Sequence, residues 1–125
     1  MHLPTLLIDP DEHTAKTLVA QLINTGFPAN FALNATVAFS LLDSQPFMAV
    51  IVVADLAAAT CRSCIAELRQ SFPQVWLIVL TRNPVPDALE TVRRLGGDAL
   101  LSIPFALADL RYRLAAFSLR SRPTF

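Results

Sequence analysis

Charge is scarce in this chain: its 125 residues include 10 Lys or Arg and 10 Asp or Glu, 16% in all, where a globular domain usually carries about a quarter. The two signs cancel to a formal net charge of zero. No cluster of Lys and Arg interrupts that balance apart from the short basic tail Arg120-Ser121-Arg122. A surface built to neutralise phosphates is therefore excluded, and nucleic acid is not an expected partner of this chain alone. Cysteine is almost as sparse. Cys61 and Cys64 are too few for a disulfide framework, and a reducing compartment would keep them as thiols.

Long apolar runs are missing too. The longest, Phe47 to Ala54, falls far short of the roughly 20 residues needed to cross a bilayer. The apolar start Leu3 to Ile8 has no basic flank and runs directly into Asp9-Pro10-Asp11-Glu12, so it does not read as an export signal. A cytoplasmic chain without a membrane anchor is expected. Repeats, low-complexity stretches and linkers are also absent, which leaves one domain over residues 1–125. What the sequence has in quantity is hydrophobic residues, 54% of the chain. That is more than an ordinary core requires, and the surplus leaves apolar surface for a partner.

The apolar residues fall into alternating patterns. Leu6-Leu7-Ile8 reads as a buried strand ended by an Asp-Pro-Asp turn. A helix follows, capped by Asp11, with Ala15, Leu18 and Leu22 on its inner stripe, Val19 and Ile23 beside them, and Gly26 at its end. His13 falls in its exposed first turn, and His2 is a terminal residue. Phe31 and Leu33 form a weak second strand, and Asn34 opens a helix facing inward with Val37, Ala38, Leu41 and Leu42. Ala49 to Ala54 is apolar on both parities, as a central parallel strand covered on both faces requires. Cys61, Cys64, Ile65 and Leu68 then fall on one helical face that Phe72-Pro73 closes. Val75 to Leu80 is a fourth strand. Pro86 opens a helix with the stripe Leu89, Val92 and Leu95, ended by Gly96-Gly97. Ala99 to Ile103 is a fifth strand, and Leu107, Leu110, Leu114 and Phe117 mark a last helix. Five strands alternating with five helices predict a doubly wound α/β fold with a five-stranded parallel sheet of flavodoxin-like type, whose working crevice lies at the carboxyl ends of the strands.

The order and spacing of these elements resemble the receiver domain of bacterial two-component response regulators over nearly the whole chain. The segments that carry the likeness are Leu7-Ile8-Asp9-Pro10-Asp11-Glu12, Ala49-Val50-Ile51-Val52-Val53, Leu80-Thr81, and above all Leu95 to Phe105 with its ending Ser102-Ile103-Pro104-Phe105. The resemblance implies a signalling module with an acid pair after strand 1, a phosphoacceptor aspartate ending strand 3, a hydroxyl after strand 4, and a lysine-proline pair after strand 5. Here the phosphoacceptor position holds Val53, the lysine position Ile103, one acid position Pro10, and the switch aromatic of strand 5 is Leu100.

These losses fit together physically. Removing only one partner of a buried charge pair costs roughly 3 to 5 kcal/mol, whereas replacing both by apolar groups is often neutral. Asp9 and Asp11 alone supply too few oxygens for Mg²⁺, so neither a metal nor another cofactor is implied. The pocket formed by Asp9, Pro10, Asp11, Val53, Thr81, Arg82, Ile103 and Pro104 reads as a vestigial phosphorylation site. Thr81 would serve turn bonding, and Arg82 either reaches Asp9 or Asp11 or stands in solvent. By analogy with the family, the Ile103–Pro104 bond is expected to be cis.

The reading that follows is a non-enzymatic, phosphorylation-independent receiver acting through protein contacts. Its partner would be a second copy, an output domain or another signalling protein. The contact is expected on the last helix at Ala108, Tyr112, Ala115 and Leu119, off the core stripe. Two alternatives stand beside it. Asp55 would be the phosphoacceptor after a two-residue slip, and Cys61 with Cys64, a C-x-x-C, would make a thiol redox sensor.

Overall fold

A computed structural model describes residues 3–123; His2 lies outside them. The elements alternate along the chain: β1 (Thr5–Ile8), α1 (Glu12–Asn24), β2 (Ala29–Ala32), α2 (Ala35–Ser44), β3 (Ala49–Val53), α3 (Ala59–Ser71), β4 (Trp76–Thr81), α4 (Ala88–Leu95), β5 (Ala99–Ser102) and α5 (Leu107–Ser118). The strands form one parallel sheet in the order β2-β1-β3-β4-β5, with the β-branched run of β3 at its centre. That is the doubly wound, flavodoxin-like receiver architecture.

The two faces of the sheet follow from strand alternation. Val50 and Val52 join Ala38, Leu42, Ile65, Leu68 and Val92 in a core beneath α2, α3 and α4. Ala49 and Ile51 join Ala15, Val19, Leu22, Leu110 and Leu114 beneath α1 and α5.

Several boundaries differ from the sequence reading. β2 spans Ala29–Ala32, so Leu33 lies in the bend before the cap of α2. The carboxyl ends of β3 and β5 stop one residue early, leaving Ala54 and Ile103 in the connecting turns, and β4 is shifted one residue onward from Val75–Leu80. α4 begins after Pro86, because Asp87 takes a left-handed conformation (φ 58°) that breaks the helix ahead of Ala88. Its inner stripe is Ala88 and Val92, and Leu89 is exposed. Ile23 and Val37 are exposed as well; one position of rotation separates each from the buried face of its helix. Asp11, Asn34, Gly26 and Gly96 act as the caps and terminators their residue types suggest.

At the amino-terminal end of the sheet, charge is concentrated in one network. Arg69 donates to the carbonyls of Gly96 (2.7 Å) and Val75 (3.0 Å) and to Asp98 (2.8 Å). The same carboxylate accepts from the Leu77 amide (2.9 Å) and from Arg122 (3.0 Å), which straps the tail beneath β4 and β5. Burial draws the Arg69 guanidinium below its ordinary value; the Asp98 carboxylate opposes that shift and Arg122 adds to it. Trp76 stacks on Phe117 with ring centroids 4.2 Å apart, and Arg120 lies 5.0 Å over the same indole.

Candidate functional site

The crevice at the carboxyl ends of the strands is built by register. Ile8 pairs with Val52, and Val53 pairs with Leu80, so the residue following β1, Asp9, comes level with Val53 at the end of β3. Thr81 pairs with Ser102, and Ile103 follows directly, its amide donating to the Thr81 carbonyl (2.7 Å). Asp9, Val53 and Ile103 therefore meet at one edge of the sheet, where the sequence reading placed them.

Between them and the side of α1 lies a cleft of about 280 Å³ lined by Asp9, Val53, Leu80, Arg82, Ile103 and Phe105, with His13 to Gln21 supplying the facing wall. Val53 and Ile103 are half-buried against the same apolar cluster, which also holds Leu7, Ile51 and Leu80. An aliphatic surface thus occupies the place where receiver chemistry needs a nucleophilic carboxylate and a cation.

Asp9 and Asp11 both tie down the turn into α1. Asp9, 4% exposed, accepts from the Asp11 amide (3.0 Å) and the Thr14 hydroxyl (2.8 Å), which pins the turn between β1 and α1. Asp11 caps α1, accepting from the amides of His13 (3.0 Å) and Thr14 (3.3 Å). Pro10 stands exposed between them and brings no oxygen ligand from its side chain. Among the described residues no group of three His, Cys, Asp or Glu is placed to hold a metal. Thr14, the principal partner of Asp9, was not singled out in the sequence. Its place at the third helical position after a capping Asp was the available signal.

Arg82 lines the mouth of the cleft in an exposed position and forms no ion pair with Asp9 or Asp11. Thr81 is fully buried, and its hydroxyl has no hydrogen-bond partner among the described residues, so the turn bond expected of it is not made. By strand alternation it faces away from the side on which Leu80 lines the cleft. The Ile103–Pro104 bond is cis, as expected.

The alternative residues lie elsewhere. Asp55 is exposed two positions beyond β3, and its carboxylate accepts from the Ala57 amide (3.0 Å), closing the loop before α3 while Leu56 behind it is buried. Cys61 and Cys64 are free thiols packed half-buried against the α2–α3–α4 core. Burial pushes the Cys64 thiol above its ordinary value, and the neighbouring charges of Cys61 and Glu67 push it further. Ala108, Tyr112 and Ala115 on α5 and Leu119, which caps its end instead of lying within it, all face solvent, Tyr112 with 77% and Leu119 with 86% of its surface exposed.

No protein-family model matches the chain. Its likeness to solved structures is extensive. The receiver domain of the Francisella response regulator 1452 superposes with a TM-score of 0.84 at 18% identity, covering 95% of this chain and 98% of that one. The signal receiver domain of an HD domain-containing protein from Pseudomonas fluorescens Pf-5 gives 0.81 at 26% identity, covering 95% and 89%. An orphan response regulator of H. pylori gives 0.79 at 20% identity, covering 94% and 97%. With five parallel strands, five helices and this strand order, the chain has the fold of the response regulator receiver domains over nearly its entire length.

Proposed function

We propose that this chain is a phosphorylation-independent receiver, a non-enzymatic signalling module of the cytoplasm whose output is a protein–protein contact. The observation that carries this reading is Val53 level with Asp9 at the end of β3, with Ile103 packed into the same aliphatic cluster. A valine offers no oxygen to a phosphoryl donor, and an isoleucine no charge to stabilise the product. Asp55 does not restore the chemistry: it is engaged in its own loop, and no lysine follows β5. The raised affinity of the Cys64 thiol for its proton argues against a redox role, since the thiolate is the reactive form. The exposed residues Ala108, Tyr112 and Ala115 on α5, with Leu119 at its end, are the proposed contact surface, for a second copy, an output domain or another signalling protein.

The test is incubation with acetyl phosphate and Mg²⁺, followed by intact mass and peptide mapping. No adduct is expected. A hydroxylamine-labile phosphoryl group on Asp55, or saturable Mg²⁺ binding by Asp9 and Asp11, overturns the reading.

A further inference from the structure

Cys61 and Cys64 take no part in the cleft at the carboxyl end of the sheet. They stand three positions apart in the first two turns of α3, both half-buried against the α2–α3–α4 core. Residues at that spacing share a helix face, with about 5–6 Å between their Cβ atoms, and Cys61 is close enough for its charge to bear on the Cys64 thiol. Both sulfurs are free. No third Cys, His, Asp or Glu joins them in a metal-binding group among the described residues. That donor set discriminates between metals. Zinc asks for four ligands in a tetrahedron and hard ions ask for oxygens, whereas two soft sulfurs alone suit a soft monovalent ion content with two ligands.

We propose that Cys61 and Cys64 form a two-coordinate site for Cu(I). Binding makes two Cu–S bonds and releases both thiol protons to solvent, with copper and sulfur unchanged in oxidation state. The complex carries one net negative charge, which the positive end of a helix favours. α3 offers that end without a competitor: it starts behind Ala58, which brings no side-chain cap, while Arg62 donates to the Leu56 carbonyl (2.9 Å) and holds the preceding loop against the first turn. The bound ion staples this uncapped start. Raised proton affinity slows Cys64 as a nucleophile, yet a soft ion displaces the proton instead of waiting for its loss. The site stands whether or not the chain takes up a phosphoryl group, so the two readings are tested separately.

The experiment is anaerobic titration of the full, reduced chain with Cu(I) held by bicinchoninate, whose colour falls as copper leaves it, with native mass spectrometry giving the stoichiometry. One copper per chain and a raised melting temperature are expected. Cys61→Ser and Cys64→Ser should each weaken binding roughly a hundredfold or more, because the second linked ligand is lost. A pair moved off the shared face, Ser63→Cys with Cys64→Ser, keeps two thiols at a spacing where they do not face each other and should bind no better than the single variants. Melting each variant without metal checks its fold; if the moved pair does not fold, the single variants decide. Zn²⁺, titrated against a chromophoric chelator, should bind roughly a hundredfold or more below Cu(I). No transfer of copper to the chain, single variants or a moved pair that bind as well as the native chain, two chains per copper, or zinc held as tightly as Cu(I) overturns the proposal.

Discussion

Introducing an acid at Val53 and a lysine at Ile103, one at a time and together, tests whether these two positions form one site. Val53→Asp removes a half-buried aliphatic side chain and brings a carboxylate beside the buried Asp9, against Leu7, Ile51 and Leu80. Lost apolar burial contributes about 1 kcal/mol, and desolvation with like-charge repulsion brings the expected cost to roughly 2–3 kcal/mol. Ile103→Lys costs less, about 1 kcal/mol, because Ile103 is half-exposed and a lysine stem keeps apolar contact while its ammonium reaches water. The double variant should then be more stable than the sum of the singles by about 1–2 kcal/mol, since each new charge supplies the other's partner. Urea unfolding at constant m-value reads all three. The acid introduced by Val53→Asp should hold its proton more tightly in the folded state than in the unfolded chain. The folded state then binds more protons across that window, so the deficit opens as pH rises through it and narrows below about pH 4. Additive singles, within about 0.5 kcal/mol, would refute the idea that these two positions form one site.

The buried hydroxyl of Thr81 has no partner among the described residues, so Thr81→Val should be neutral or stabilising by up to about 1 kcal/mol in the same assay; a loss of more than that would mean the hydroxyl is bonded. Asp98→Ala should cost about 2–4 kcal/mol, because it strips the Arg69 guanidinium, the Leu77 amide and Arg122 of a shared acceptor that is only 15% exposed. A change below about 1 kcal/mol would show the network to be dispensable. Cys64, whose thiol burial keeps protonated, should react with iodoacetamide at neutral pH far more slowly in the folded chain than after unfolding, and rapid labelling would contradict its environment.

The fold was legible because its signals are local and repeated. β3 is apolar on both parities, Asp11 and Asn34 have side-chain oxygens to cap helices, and Gly26 and Gly96 supply left-handed turns. The misread positions are those where one residue of rotation decides burial: Ile23, Val37 and Leu89 each lie beside the buried face of a helix, and apolar character alone does not say on which side. Pro86 is a case of competing signals. Its fixed φ suits a first helical turn, but the left-handed Asp87 after it delays the helix. In the candidate site, the meeting of Asp9, Val53 and Ile103 was implied by the resemblance to receiver domains, and the strand register bears it out. The use of Asp9 to tie down Thr14 was not, because it depends on a side-chain rotamer across a turn. The Asp98 network joins residues 24 and 29 positions apart, beyond any local pattern, and Arg122 therefore read as nothing more than part of a basic tail.

The few charges are placed so that, among the described residues, no ion pair holds the carboxyl end of the sheet together. Among the described residues the most deeply buried ion pairs, Arg69 and Arg122 with Asp98, lie at the amino-terminal end of β4 and β5, where they also satisfy loop carbonyls and the Leu77 amide of β4. The tail, β4 and α5 are joined there by Trp76, Phe117 and Arg120. None of these contacts involves the carboxyl ends of the strands. At those ends the apolar wall of the cleft continues the α1–α5 core, and Val53 and Ile103 extend that cluster. Asp9 is the exception. Its bonds to Asp11 and Thr14 set the turn into α1, so replacing it would cost local structure as well as a charge.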